Sequence, residues 1–389
     1  MGSLPPPVPP ATMPLISPAA LLHAHLSQTP PLRPSRRQPT EPRPIDLNVG
    51  ALTHTQGSAL VRIGATTIVC GVRAEILPVA DIPSYRAVKK DKWGEEENGS
   101  NDDDGSDDDG DGDDGDGDDG DSDDGDGDDG DSDDGDGDDD DDDLRVYRLV
   151  VPNLELSTGC SPLHPANAAP SVEAQSISQR LLSLLHSSRL VRQADLEVSH
   201  TLDPVEVQQP GLVPDGPRRQ LKAFWVLYVD MVCLSHGGSG SVFDAAWLAM
   251  YAALRHTRLP KAVWDADAKQ VFCSPDVREA TALRLRGMPV PLSFGVFVPA
   301  KTSVPDEQVR DEAARWLVDL DAFEEETVAE VGCVVVDADD AGDAVLHRVE
   351  KSGGAGRIGL PEIRALVGIA KARRSQWQRV LHTASPEAG

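Results

Sequence analysis

The stretch that decides the fold is Gly57-Ser-Ala-Leu-Val-Arg-Ile-Gly-Ala-Thr-Thr-Ile-Val-Cys-Gly-Val-Arg-Ala-Glu75. Two runs rich in β-branched residues flank Gly64-Ala65, and that pattern predicts a β-hairpin. Alternation assigns Ala59, Val61 and Ile63 to one face, with Thr66 to Ala74 as the partner strand. Working outward, strand character resumes at Val146 to Pro152. Pro170 to Arg192 reads as a helix: Pro170 and Ser171 suit its start, and Ala174, Ile177, Leu181, Leu184 and Leu185 recur at helical spacing. Lys222 to Leu234 is a long apolar run of the kind that forms a central strand. Asp230 interrupts it, with an expected structural role of hydrogen bonding to backbone or to an arginine. Asp244 to Leu254 is apolar almost all round and should be a buried helix.

The second half carries strand patterns at Leu292 to Phe297 and Gly332 to Asp337, with a helix expected from about Asp306 to Leu317 between them. The chain closes with a helix from Pro361 to Leu381. Its apolar positions are Ile363, Leu366, Val367 and Ala370, and Arg364, Lys371, Arg373, Arg374 and Arg379 are expected to form a solvated basic face. Strands and helices alternate along the chain, so the fold class is α/β (α+β).

The formal net charge of −30 argues at first against a nucleic-acid partner. Its distribution reverses that reading. Of 66 acidic residues, 31 fall between Glu95 and Asp143, which leaves 35 to face 36 Lys and Arg elsewhere. Residues 95–143, rich in Asp, Gly and Ser, cannot bury enough apolar surface to offset the entropy of ordering, so a disordered acidic insertion in a loop between two strands is expected. Its Asp-rich runs lack the bidentate Glu and flanking amphipathic helices of a calcium loop. Residues 1–32, rich in Pro, Ser and Ala, read as a flexible N-terminal arm in which Leu15 to His25 could form a turn or two of helix. Residues 33–94 and 144–389 then make up a single domain.

Five cysteines, Cys70, Cys160, Cys233, Cys273 and Cys333, are far apart and show no metal-ligand spacing. They are read as reduced and structural, with no metal and no cofactor expected. No run approaches the length of a membrane helix, so no membrane partner is expected. His236-Gly-Gly-Ser-Gly240 is not a phosphate loop, since no Gly-Lys-Ser/Thr follows, and reads as a flexible turn. Glu324-Glu325-Glu326 reads as solvated surface rather than an acid/base site.

Taken in order, these segments resemble the RNase PH-like family, and within it the non-catalytic ring subunits of the exosome. The resemblance is carried by Arg33-Pro-Ser-Arg-Arg37, by the Gly57 to Glu75 stretch, and by Val151-Pro-Asn153. It continues through Glu173-Ala-Gln175, Val226-Leu-Tyr-Val-Asp230 and the helix that opens with Asp244. Active members have an Asp-Gly-Gly-Thr/Ser-Arg loop whose Arg and hydroxyl hold phosphate, and a later pair of aspartates six positions apart. Lining up Asp244-Ala-Ala with the start of the buried helix places Ser239 to Phe243 on that loop, with Phe243 at the arginine position. Anchoring on Val334-Val-Val336 places Glu325 and Val331 at the two aspartates. An apolar ring offers a phosphate neither donor nor charge, and valine neither ligates a metal nor handles a proton.

The resemblance thus implies an RNase PH-like α/β (α+β) fold, β-sheets with helices packed between and against them, and a chain with no catalytic residues of its own. It also implies partners: other RNase PH-like exosome ring subunits, cap subunits with S1 or KH domains, a separate catalytic hydrolytic nuclease, and RNA threaded through the central channel. Nucleus, nucleolus and cytoplasm follow from the same source. Two competitors differ in class. One is a phosphate-dependent 3′-to-5′ exoribonuclease whose site a partner subunit completes, and the other is an acidic chaperone for basic proteins driven by the polyaspartate tract.

Overall fold

The computed structural model describes residues 17–82, 85, 144–161, 171–202, 218–237, 239–299, 315–338, 343–354 and 358–384. The acidic insertion at 95–143 lies outside the described residues. Helix α1 (Pro18–Leu26) precedes strands β1 (Ile45–Val49), β2 (Gly57–Ile63), β3 (Thr66–Pro78) and β4 (Val150–Leu156). Next come α2 (Val172–Ser187), β5 (Glu197–Leu202), β6 (Arg218–Ser235) and α3 (Ser239–His256). Short strands β7 (Arg258–Leu259), β8 (Ala262–Asp265), β9 (Gln270–Cys273) and β10 (Thr281–Ala282) lead to β11 (Val290–Phe297) and β12 (Arg315–Val318). Helix α4 (Ala322–Thr327), β13 (Glu330–Ala338), β14 (Ala344–Ser352) and α5 (Leu360–Ala384) complete the chain.

The hairpin forms as its sequence pattern predicts. Gly57 pairs with Val72 and Ile63 with Thr66, and Ala59, Val61 and Ile63 are all buried on one face. Gly64 takes φ +56°, a left-handed turn conformation that costs Gly nothing. Gly57 answers a different need, because a Cβ there would lie 2.4 Å from the Ala253 carbonyl oxygen of α3. The strand next to β3 is β6, the expected central strand, which also receives β4 in parallel and β5 in antiparallel register. Asp230 is exposed on it and accepts a hydrogen bond from Asn153 Nδ2 at 3.3 Å, so its partner is a side-chain amide rather than backbone or arginine.

A second sheet has the order β12-β11-β13-β14. Helix α3 is buried against the first sheet and reaches β11 of the second, so the largest core runs from Ala59 and Val61 through Trp247 and Leu248 to Val290 and Val335. Each such side chain contributes on the order of 2 kcal/mol by leaving water. Helix α5 covers the other face of the second sheet, with Leu366 and Ala370 packed on Leu292, Phe294, Val334 and Val336. In α2 the buried residues are Ala174, Ile177, Leu181, Leu184 and Leu185, and Ser171 caps it by accepting from the Ala174 amide.

Several expectations change. The arm is docked from Pro18 onward, because Leu22 and Leu26 of α1 are fully buried against Phe297, Leu317 and Leu320. Strand β4 starts at Val150 rather than at Val146, which instead ends a helical turn over 144–146. The end of the helix expected at Asp306 to Leu317 is instead strand β12, since Arg315–Val318 pairs with Phe294–Phe297, and pairing outweighs local propensity. Its remainder, 306–314, lies outside the described residues. Ser239 to Phe243, expected on a loop, is the first turn of α3. Four cysteines are buried and Cys273 is exposed, all free. Burial pushes the Cys233 and Cys333 thiols up to about 12, which keeps them protonated and unreactive. Among the described residues no helix is long and apolar enough to cross a membrane.

Candidate functional site

A cleft of about 430 Å³ opens between α2, β11, β13 and β14. Glu173, Ser176 and Arg180 line it from α2, Ser293 from β11, Glu325 from α4, and Val331, Glu350 and Lys351 from the second sheet. The structure therefore brings Glu325 and Val331, the two positions that line up with the family's aspartates, to one cleft. Phe243 sits in the wall behind it, 1 % exposed, and the Arg180 guanidinium lies 4.1 Å above its ring.

The cations of the cleft are already committed. Arg180 donates from Nε and Nη2 to Glu350 Oε2 at 3.1 and 2.7 Å. Arg348 Nε meets the other Glu350 oxygen at 2.6 Å, and Lys351 Nζ lies 2.9 Å from the buried Glu330 carboxylate. Glu173, on the α2 side, also has a partner outside the cleft lining, with its Oε1 3.0 Å from His236 Nε2. The alternation of charges leaves the cleft paired within itself, a poor receptor for a phosphate that needs unspent donors. Among the described residues no group of three or more His, Cys, Asp or Glu side chains is placed to hold a metal ion.

Behind the cleft are two buried charge clusters that sequence reading missed. Asp244, taken only as the start of a helix, is fully buried in α3. It accepts from Arg373 Nη1 of α5 at 2.7 Å and from Ser293 Oγ of β11 at 2.9 Å, so one carboxylate ties three elements together. Arg373 is thus 2 % exposed and does not belong to a solvated basic face. Its neighbour Arg374 also turns inward, donating to Asp337 at 3.2 Å. The second cluster joins residues 33–43, which follow the docked arm, to the end of β12 and to α4. Arg43 grips Asp319 through Nη2, Nε and its backbone amide at 2.6, 3.1 and 2.6 Å. Arg33, fully buried, pairs with Glu324 at 3.0 Å and donates to the Val318 and Pro39 carbonyls. Glu324 therefore lies in the interior rather than on the solvated surface expected for the Glu324-Glu325-Glu326 run.

Burial alone would raise the Asp319 carboxyl. The hydrogen bonds from Arg43 and the charges of Arg373 and Arg43 reverse this and hold it well below the ordinary carboxylate range. Arg33 and Arg37 belong to the Arg-Pro-Ser-Arg-Arg stretch noted in the sequence, and its function here is anchorage. Arg37 also reaches Glu324, at 3.5 Å.

Comparison with known proteins places this geometry. A model of the 3′ exoribonuclease family, domain 1, matches residues 41–91 and 131–260. The exosome complex component rrp43 of Schizosaccharomyces pombe is 26 % identical over 303 residues, which cover 78 % of this chain and 79 % of that protein. Among solved structures, a chain of the Archaeoglobus fulgidus exosome with RNA bound to the active site superposes with a TM-score of 0.53 at 16 % identity, covering 93 % of this chain and 96 % of that one. A chain of an archaeal exosome core gives 0.50 at 16 % identity, with 95 % and 99 % covered. The two structural likenesses establish the fold.

Proposed function

We propose that the chain is a member of the RNase PH-like family, the 3′ exoribonucleases, and serves as a non-catalytic subunit of an exosome core ring, where it helps to wall the RNA channel. The observation that carries this reading is the charge pairing of the cleft. Phe243 stands where the resemblance puts the phosphate-holding arginine, and the nearest guanidinium, Arg180, is held by Glu350. Glu325 and Val331 stand where active members carry aspartates, and valine can neither ligate a metal nor accept a proton. Loss of one preorganised donor typically costs about 3–4 kcal/mol of transition-state stabilisation, so the combined departures remove catalysis by this chain.

The partners under this reading are other RNase PH-like ring subunits, S1/KH cap subunits and a hydrolytic nuclease that supplies the chemistry. The compartments are nucleus, nucleolus and cytoplasm. Affinity purification of the tagged full chain at moderate salt, followed by mass spectrometry, tests the assignment. Stoichiometric recovery of RNase PH-like and S1/KH-type subunits supports it. Recovery of basic proteins alone, lost when residues 95–143 are deleted, would replace it with a chaperone role.

A further inference from the structure

Resting on the ring-subunit reading, we propose that the exposed Arg255, Arg258 and Arg284 form a contact surface for the phosphate backbone of single-stranded RNA. Arg255 lies in the last turn of α3, Arg258 opens β7 and Arg284 follows β10. Arg258 stands opposite Ala282, and the Leu283 amide donates to the Thr257 carbonyl at 3.0 Å. This continues the ladder and sets Arg284 diagonal to Arg258 on its outer face, while Leu259 and Leu283 fill the inner one.

Three cations near this group in the sequence have carboxylate partners. Lys261 lies 3.7 Å from Glu279, Arg278 2.9 Å from Asp276, and Arg286 is joined to Asp195. Among the described residues, Arg258 and Arg284 have no carboxylate within ion-pair distance, and Arg255 meets the Tyr251 phenol rather than an acid. The dipole at the end of α3 accounts for Arg255 but not for the other two. Like charges at diagonal positions of a ladder repel, and a polyanion laid across them relieves that repulsion.

The shape of the surface selects the ligand. None of the three arginines lines the cleft described above, and all three are exposed rather than closed around a small anion. Exposed guanidinium forks suit the phosphates of an extended chain, and the absence of aromatic side chains among the three predicts contact without base preference. Phe243 is in the first turn of α3 and Arg255 in its last, so most of the helix, which spans about 27 Å, separates this surface from the cleft.

The test is fluorescence anisotropy of a labelled oligouridylate with the full chain and with the R255A/R258A/R284A variant, across about 0.05 to 0.2 M salt. Three contacts to a single strand predict a log–log salt slope shallower by about 2 in the variant, and binding about 100-fold weaker at 0.1 M. The R255K/R258K/R284K variant, which keeps the charge, should retain the slope. An unchanged slope in the alanine variant, or no RNA binding by the native chain at about 0.05 M salt, would overturn the proposal. So would a polyaspartate peptide that binds the native chain and not the alanine variant while the RNA slope stays unchanged, because the surface would then dock acidic protein. Co-purification of the unsubstituted chain reads out ring assembly separately, so failure of either idea is distinguishable from failure of the other.

Discussion

Arg43 and Asp319 meet where the carboxylate is sealed from water and the guanidinium is 8 % exposed, whereas Arg180 and Glu350 meet at the cleft with 31 % and 30 % of their side chains exposed. Both are arginine–carboxylate contacts of similar length, and water makes the difference. A sealed charge that loses its partner has nowhere to go, while one at an open cleft can turn to solvent. Evolution can therefore rearrange the cleft at little cost in stability, but not the clamp behind it. A ring subunit could in this way keep its fold after its cleft has paired its own charges.

The first way to break this comparison is at the most buried pair. Asp244→Ala strands Arg373 in the core and cuts a joint between α3, β11 and α5, with an expected loss of about 3–5 kcal/mol in denaturant unfolding. A loss below about 1 kcal/mol would mean that water reaches Arg373 and that the sealed-versus-open distinction fails.

Asp319→Asn sharpens the comparison at the clamp. Asp319 has φ +54°, a left-handed conformation that asparagine tolerates, so this substitution reads the charge and not the backbone. The expected loss is about 2 kcal/mol at neutral pH. Because the folded carboxyl is held below its unfolded value, its stabilisation is complete above about pH 4 and fades as pH falls through the folded value. Chemical unfolding of the native chain should therefore show a steeper acid limb than the Asn variant. Equal limbs would show that Arg43 does not hold the carboxyl down.

The smallest effect belongs to the open cleft. Glu350→Gln frees Arg180 and Arg348 but should change stability by less than about 1 kcal/mol, since both cations can turn to water. A thermal shift comparable to that of Asp244→Ala would make the cleft part of the core.

The same contrast explains what could be read in the sequence. The hairpin at Gly64, the apolar stripe of α2 and the all-round apolar α3 are local patterns with a period of two or of a helical turn, and each formed as read. The clamps have no local pattern. Arg373 and Asp244 are 129 positions apart, and Arg43 and Asp319 are 276 apart, so nothing in their neighbourhoods distinguishes a buried partner from a solvated charge. Arg373 sits in a helix beside exposed cations and was read as one of them. Arg315–Val318 follows a helix-favouring run and became a strand because β11 offered it a ladder. Glu325 and Val331 reached one cleft because alignment to a family carries tertiary information that spacing does not.

The central claim is tested most directly by incubating the purified full chain with a 5′-labelled single-stranded RNA, inorganic phosphate and magnesium, and following the RNA ladder and the release of nucleoside diphosphates. The account predicts RNA of unchanged length with and without phosphate. Phosphate-dependent shortening from the 3′ end, with one nucleoside diphosphate released per step, would contradict it and make the Arg180 cleft a working site.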